Sequence, residues 1–238
     1  MMFGLDDQWG RIIFRTVASQ ALGIGHLNRC IALADILPGL KHFVLCENSQ
    51  IVSHTLKQKG FTHEVFPIGS WGGDTYGGNV ARKTNSKHWI CIIDLTNEFG
   101  IRHKELVRWE AEQVQSYGGL VVLIDGIGDI KIVTEPKFPI DVLVSPYAGS
   151  NMIPGGSFVQ LCGPQWAVFP KQMLNKRLSL QDSQRRLKLP LARRVLVTGG
   201  GSDVYGFTVL VLKAIESLSL RWLNIRVIIG PLFSQNLI

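Results

Sequence analysis

The sequence predicts an α/β fold built on a doubly wound parallel sheet. Three observations carry this expectation. Apolar runs of strand length alternate with amphipathic segments of helix length. Several runs are apolar throughout rather than alternating, which is the mark of strands covered on both faces. Glycine-rich turns stand where strands hand over to helices, at Gly23-Ile24-Gly25 and at Gly199-Gly200-Gly201.

Residues 11–16 read as the first strand. Residues 26–37 read as a helix, because Leu27, Cys30, Ile31, Ala34 and Leu37 recur at helical spacing and Pro38-Gly39 ends the pattern. Residues 42–46 are a second strand, 51–59 a helix stopped by Gly60, and 62–66 a short third strand. Residues 69–87 are polar and rich in glycine and read as a long loop, in which Tyr76 reads first as packing the loop down, with cover for a ligand's ring as the alternative. Residues 89–95 and 120–125 are apolar strands that run into Asp94 and Asp125, and an amphipathic helix over 102–117 joins them. Short strands follow at 141–145 and 158–161, then a helix over 171–188 closed by Pro190. The chain then repeats the opening order: a strand at 194–198, a glycine loop, a helix over 204–220 and a strand at 224–229. The pattern divides the chain into a doubly wound domain over 11–170, a linker helix over 171–190 and a strand–helix–strand unit over 191–238. A lone unit of that kind cannot bury both faces of its strands. It either joins the first sheet or begins a second domain.

Composition narrows the function classes. Of 238 residues, 46% are hydrophobic and 18% charged, enough to bury a core and unlike a disordered chain. The net charge of +7 favours anionic partners. Its densest runs, at 171–186 and Arg193-Arg194, do not interleave aromatics with basic residues, so nucleic acid is not an expected partner. Cys30, Cys46, Cys91 and Cys162 form no CxxC pair and sit in apolar stretches, as buried thiols in a reducing compartment do. No signal pattern opens the chain and no apolar run reaches the ~20 residues of a membrane span. The expected location is therefore the cytoplasm. The oligomeric state is left open, with a monomer as one option.

The first glycine loop carries the chemistry. Its glycines let the backbone turn tightly and approach a ligand, and a helix N-terminus offers N–H groups and a positive dipole end to a phosphate. His26 at that terminus is placed to act as a general base near neutral pH. Helical geometry sets His26 and Arg29 off the Leu27/Ile31/Ala34 face, so Arg29 supports the site or pairs with an acid. Two other readings stay open. A dinucleotide loop requires GxGxxG, but Asn28 replaces the third glycine, while Glu47 stands about where a ribose-binding acid would. A plain glycine turn with a capping histidine is the other. A phosphate P-loop is excluded, since no GK[ST] follows. The six histidines form no HxxxH or HExxH pattern and no GxSxG elbow occurs, so neither a metal nor a serine nucleophile is implied.

These residues also carry a family resemblance. Phe14-Arg15-Thr16, Gly23-Ile24-Gly25-His26-Leu27, Arg29 and Ala32-Leu33-Ala34 resemble the opening of the UDP-sugar hydrolase of pseudaminic acid biosynthesis and of the spore-coat polysaccharide glycosyltransferase family. The likeness continues, in family order, through Ile92-Ile93-Asp94, Val122-Leu123-Ile124-Asp125, Asp141-Val142-Leu143-Val144, Cys162-Gly163-Pro164-Gln165-Trp166-Ala167 and Val195 to Asp203. It departs at Trp166, where the family more often has tyrosine, in the ten residues before Arg11, and at Ile238, where the family continues through a further half domain.

The resemblance implies a two-domain fold of the GT-B type, with a Rossmann-like N-terminal domain over 11–170 and the first βαβ unit of an incomplete C-terminal nucleotide-binding domain over 191–238, that holds a nucleotide sugar in its cleft and needs no cofactor. It implies hydrolysis of a UDP-activated deoxy-amino sugar of the 2,4-diacetamido-2,4,6-trideoxy type in nonulosonic acid or surface polysaccharide biosynthesis. His26 would activate water for attack at the anomeric carbon, and UDP would leave. Gly23, Gly25, Arg29 and Asp94 would line the substrate site, with Asp125 a further acid at a strand end. Gly200, Gly201, Ser202 and Asp203 would meet the diphosphate, although Ser202 or Asp203 could equally cap the helix that follows. The alternatives are a glycosyltransferase with a UDP-sugar donor and a truncated, non-catalytic binding remnant.

Overall fold

A computed structural model describes residues 10–47, 49–70, 89–126, 131–174, 193–220 and 222–233, with the side chain at position 97 excepted. The chain divides into two compact units, the first comprising Met1–Ala18 and His26–Val168, the second Ser19–Gly25 and Phe169–Ile238.

The first unit is an α/β structure around seven parallel strands. Its elements are β1 (Arg11–Thr16), α1 (Gly25–Ala34), β2 (Leu40–Leu45), α2 (Gln50–Gln58), β3 (Thr62–Val65), β4 (Ile90–Asp94), α3 (Asn97–Arg102), α4 (Lys104–Ser116), β5 (Leu120–Ile124), β6 (Val142–Ser145) and β7 (Val159–Cys162). The strand order is β3-β2-β1-β4-β5-β6-β7. The chain runs outward from β1 through β2 to β3, then returns to the other side of β1 and runs outward again to β7. The carboxyl ends of β1 and β4 therefore flank the point where the order reverses, where open sheets of this class leave a crevice. The expected doubly wound parallel sheet is what the chain forms.

The sheet is covered on both faces, which explains its unbroken apolar runs. Register pairs Arg15 with Ile93 and Thr16 with Asp94. Arg15 contacts α4 and Asp94 contacts α1, so these helices lie on opposite faces. Ile13, Phe14, Phe43, Ile93 and Leu123 are fully buried between them. Each such side chain contributes roughly 1.5–3 kcal/mol relative to exposure. Phe14 stacks on Phe43 with ring centres 4.9 Å apart. Trp89 closes the bottom of β4, and its indole N–H donates to the Tyr117 carbonyl at 3.2 Å. Gly119 is required there, since a Cβ would sit 2.6 Å from the Trp89 ring.

One charged pair is wholly inside. Arg15 donates from Nε and Nη2 to the two carboxylate oxygens of Glu110 at 2.9 and 2.8 Å. The same guanidinium donates to the carbonyls of Phe66 and Pro67, and Glu110 accepts the Gly69 N–H at 2.8 Å. The pair thus ties β1, α4 and the segment after β3 together.

The second unit contains α5 (Lys171–Leu174), β8 (Arg194–Thr198), α6 (Phe207–Ser217) and β9 (Asn224–Ile228), the two strands pairing in parallel. They make a sheet of their own and do not extend the seven-stranded one. Every residue of β9 is exposed.

The elements differ from expectation mainly at helix ends. The helix expected over 102–117 is α4, Lys104–Ser116, and an unexpected short helix, α3, precedes it. This short helix starts where the Thr96 hydroxyl accepts the Phe99 N–H. The helix expected from 204 starts at Phe207. Asp203, at a φ of 47°, takes up its first turn. The long glycine loop, Tyr76 and most of the expected linker helix lie outside the described residues.

Candidate functional site

The site forms where β1 and β4 end. β1 delivers the chain to a turn in which the Gly23 N–H donates to the Ser19 carbonyl at 2.8 Å. Gly23 holds a φ of 78°, a conformation that favours glycine. The chain then enters α1 at Gly25, and His26 and Arg29 project from its first turn and a half. β4 brings Asp94 to the same place, and a bond from the Thr16 hydroxyl to the Asp94 carbonyl at 2.8 Å locks the two strand ends.

Asp94 is the hub. Its side chain is 0% exposed, against 20% for His26 and 16% for Arg29. His26 Nδ1 lies 2.7 Å from Oδ1. Arg29 grips the same carboxylate with two prongs, Nε to Oδ2 at 2.7 Å and Nη2 to Oδ1 at 2.6 Å. Cys30 adds a weak thiol bond to Oδ2 at 3.8 Å. Burial, then Asp94, pushes the Cys30 thiol well above its ordinary pKa, so it is a donor and not a nucleophile. Burial works against the Arg29 charge, but the bonds and charge of Asp94, followed by those of Tyr147, outweigh it and raise its pKa.

Donor inventory fixes the protons. An ionised carboxylate only accepts, so the proton between His26 and Asp94 sits on Nδ1. The Nε2 lone pair then points away from Asp94, as in a histidine base oriented by an acid. Arg29 Nη2 also lies 3.1 Å from His26 Nδ1. With Nδ1 protonated this is a close approach of two donors, and both are directed at Asp94.

The structure brings His26, Arg29 and Asp94 into one cluster and gives Asp125 other work. Asp125 Oδ1 accepts the N–H groups of Gly126 and Ile132, and Oδ2 accepts that of Val133, each at 2.8 Å. Its carboxylate fastens Gly126, Ile132 and Val133 to the end of β5. Burial raises its pKa against the pull of those three bonds and of Lys131.

Gly23, Gly25, Gly200, Gly201, Ser202 and Asp203 belong to the second unit. There Gly201 must be glycine, because a Cβ would run into the Ile24 side chain, and one on Gly23 would lie 3.5 Å from the Ser202 hydroxyl. Asp203 is buried and accepts the N–H groups of Phe207 at 2.8 Å and Thr208 at 3.0 Å. It thereby satisfies two of the N–H groups at the start of α6. Among the described residues no group of three or more His, Cys, Asp or Glu is arranged to hold a metal. No helix among them is long and apolar enough to cross a membrane.

Sequence reasoning missed Tyr147. It follows β6, and its hydroxyl meets Arg29 Nη1 at 2.9 Å. No motif marks it, because the contact spans 118 positions. It missed the Arg15–Glu110 pair for the same reason, although an arginine inside the apolar run of β1 is a signal that a buried acid must answer. No family model matches the chain, and no curated protein matches it.

Proposed function

We propose that the His26 cluster is a general-base site for hydrolysis of a nucleotide-activated sugar, a UDP-linked deoxy-amino sugar of the 2,4-diacetamido-2,4,6-trideoxy type. The observation that carries this reading is the 2.7 Å bond from His26 Nδ1 to the buried Asp94. That bond fixes the tautomer and leaves Nε2 to take a proton from water. Water attacks the anomeric carbon, its proton passes to Nε2, and the bond from that carbon to the diphosphate oxygen breaks with UDP taking the electron pair. Asp94 then stabilises the imidazolium. Support comes also from the position of the cluster at the reversal of strand order and from the serial resemblance to UDP-sugar hydrolases.

Replacing His26 with Asn keeps a hydrogen-bonding side chain of smaller size and removes the base. UDP release from the UDP-2,4-diacetamido-2,4,6-trideoxy sugar should fall by about 10²–10⁴-fold, while the far-UV spectrum stays the same. Unchanged release overturns the assignment. Release that requires an added sugar acceptor would make the chain a transferase, and absence of affinity for any UDP-sugar would make it a non-catalytic remnant.

A further inference from the structure

We propose that Tyr147 is a substrate-binding residue of the same site, donating its phenolic proton to a neutral oxygen of the sugar, a hydroxyl or an amide carbonyl. This rests on the nucleotide-sugar reading and adds to it the residue that selects the sugar.

The direction of the proton follows from chemistry. A guanidinium has donors and no acceptor. In the 2.9 Å bond between Arg29 Nη1 and Tyr147 the phenol oxygen therefore accepts. Its own hydrogen must point elsewhere, and no bond donated by this hydroxyl occurs among the described residues. Accepting from a cation also polarises the O–H and makes it a better donor. Tyr147 is only half-buried, so the proton is within reach of a ligand.

The class of oxygen follows from charge. Arg29 is matched by Asp94, and in the base form His26 is neutral, so the cluster of His26, Arg29, Asp94 and Tyr147 carries no net charge. A diphosphate gains most from uncompensated positive charge, which this cluster does not offer. A neutral sugar oxygen needs only a donor. His26 and Tyr147 each lie one contact from the same guanidinium, at 3.1 and 2.9 Å, so a group of sugar size can meet both. One presents a lone pair and the other a proton, and Arg29 with Asp94 holds both in place.

The test compares two ligands on two proteins. Calorimetry is run on His26→Asn, which binds without turnover, and on His26→Asn with Tyr147→Phe, using the UDP-2,4-diacetamido-2,4,6-trideoxy sugar and UDP alone. Loss of one hydrogen bond should weaken the sugar nucleotide about tenfold and leave UDP affinity and the melting temperature unchanged. In otherwise unaltered protein, Tyr147→Phe should raise KM by a similar factor. The low-field His26 Nδ1 proton resonance should persist, showing that the dyad is intact. Equal weakening of both ligands, or no weakening of either, overturns the role of Tyr147 while the hydrolase reading stands. If the unsubstituted chain neither binds nor cleaves the sugar nucleotide, the hydrolase reading fails and this proposal fails with it.

Discussion

Asp94 and His26 differ in what their loss should do, and the difference separates orientation from chemistry. Asp94 is fully buried and neutralises Arg29, itself largely enclosed. Asp94→Asn leaves that guanidinium without its counter-charge, which should cost about 3–5 kcal/mol of stability. The amide can also present its NH2 to His26 Nδ1 and favour the wrong tautomer, so activity should fall by about 10²–10⁴-fold in the protein that remains folded. His26→Asn should remove activity at a stability cost below about 1 kcal/mol, because His26 sits at a helix end and keeps solvent contact. Urea denaturation alongside UDP release measures both, and equal destabilisation by the two variants would refute the hub role of Asp94. Asp125 makes the contrasting case. Asp125→Ala orphans three buried N–H groups and should destabilise by about 2–4 kcal/mol, with kcat of the folded fraction unchanged. From sequence the two acids look alike, each ending an apolar strand. What distinguishes them is the partner, an α1 side-chain pair for one and a loop backbone for the other, and such partners are set by tertiary structure.

At the scale of elements, strands were legible and helix ends were not. The bounds of β1 follow directly from its apolar run, because a strand buried on both faces admits little else. Helix starts depend on caps that are read across several residues. Thr96 opens α3 ahead of the apolar pattern, and Asp203 delays α6 by taking N–H groups four and five residues on. The segment after β3 depends on Arg15 and Glu110, 95 positions apart. Glu110→Gln keeps the shape and the bond to Gly69 but removes the charge facing Arg15. It should cost about 3–5 kcal/mol by chemical denaturation. The edge formed by β2 and β3 should also sense pH. Burial, then the charges of Arg11 and His63, lowers the His42 pKa from 6.5 to about 4. Between those values the unfolded chain binds a proton that the folded chain refuses, so stability rises with pH. The contribution is fully present above 6.5 and is lost as pH falls through 4. Comparing wild type with His42→Gln at pH 7 and pH 4 should show about 1–2 kcal/mol less acid sensitivity in the variant, after allowance for the partial exposure of His42.

Across the whole molecule, the two units differ in how much apolar surface they enclose. In the first, β1 and β4 are buried at all but one position each, and β5 at three of five. In the second, Val197 of β8 is buried, but Leu196, Ile225, Val227 and Ile228 of the two strands are exposed, as are Phe207, Leu210 and Val211 of α6. Two strands and one helix have too few side chains to sandwich a sheet. Local stability follows the burial that each strand gains. Backbone amides of β1, β4 and β5 should therefore exchange with solvent only on global unfolding, whereas those of β8 and β9 should exchange through sub-global opening at least about 100-fold faster. The same exposed side chains form apolar surface of the kind that recruits hydrophobic dyes and promotes association. Substituting Phe207, Leu210 and Ile228 by polar residues should reduce dye binding and concentration-dependent scattering, with little effect on exchange in β1 or β4. Equal protection in the two sheets would show that the exposed faces of β8 and β9 are covered in solution, and dye binding would then be absent as well.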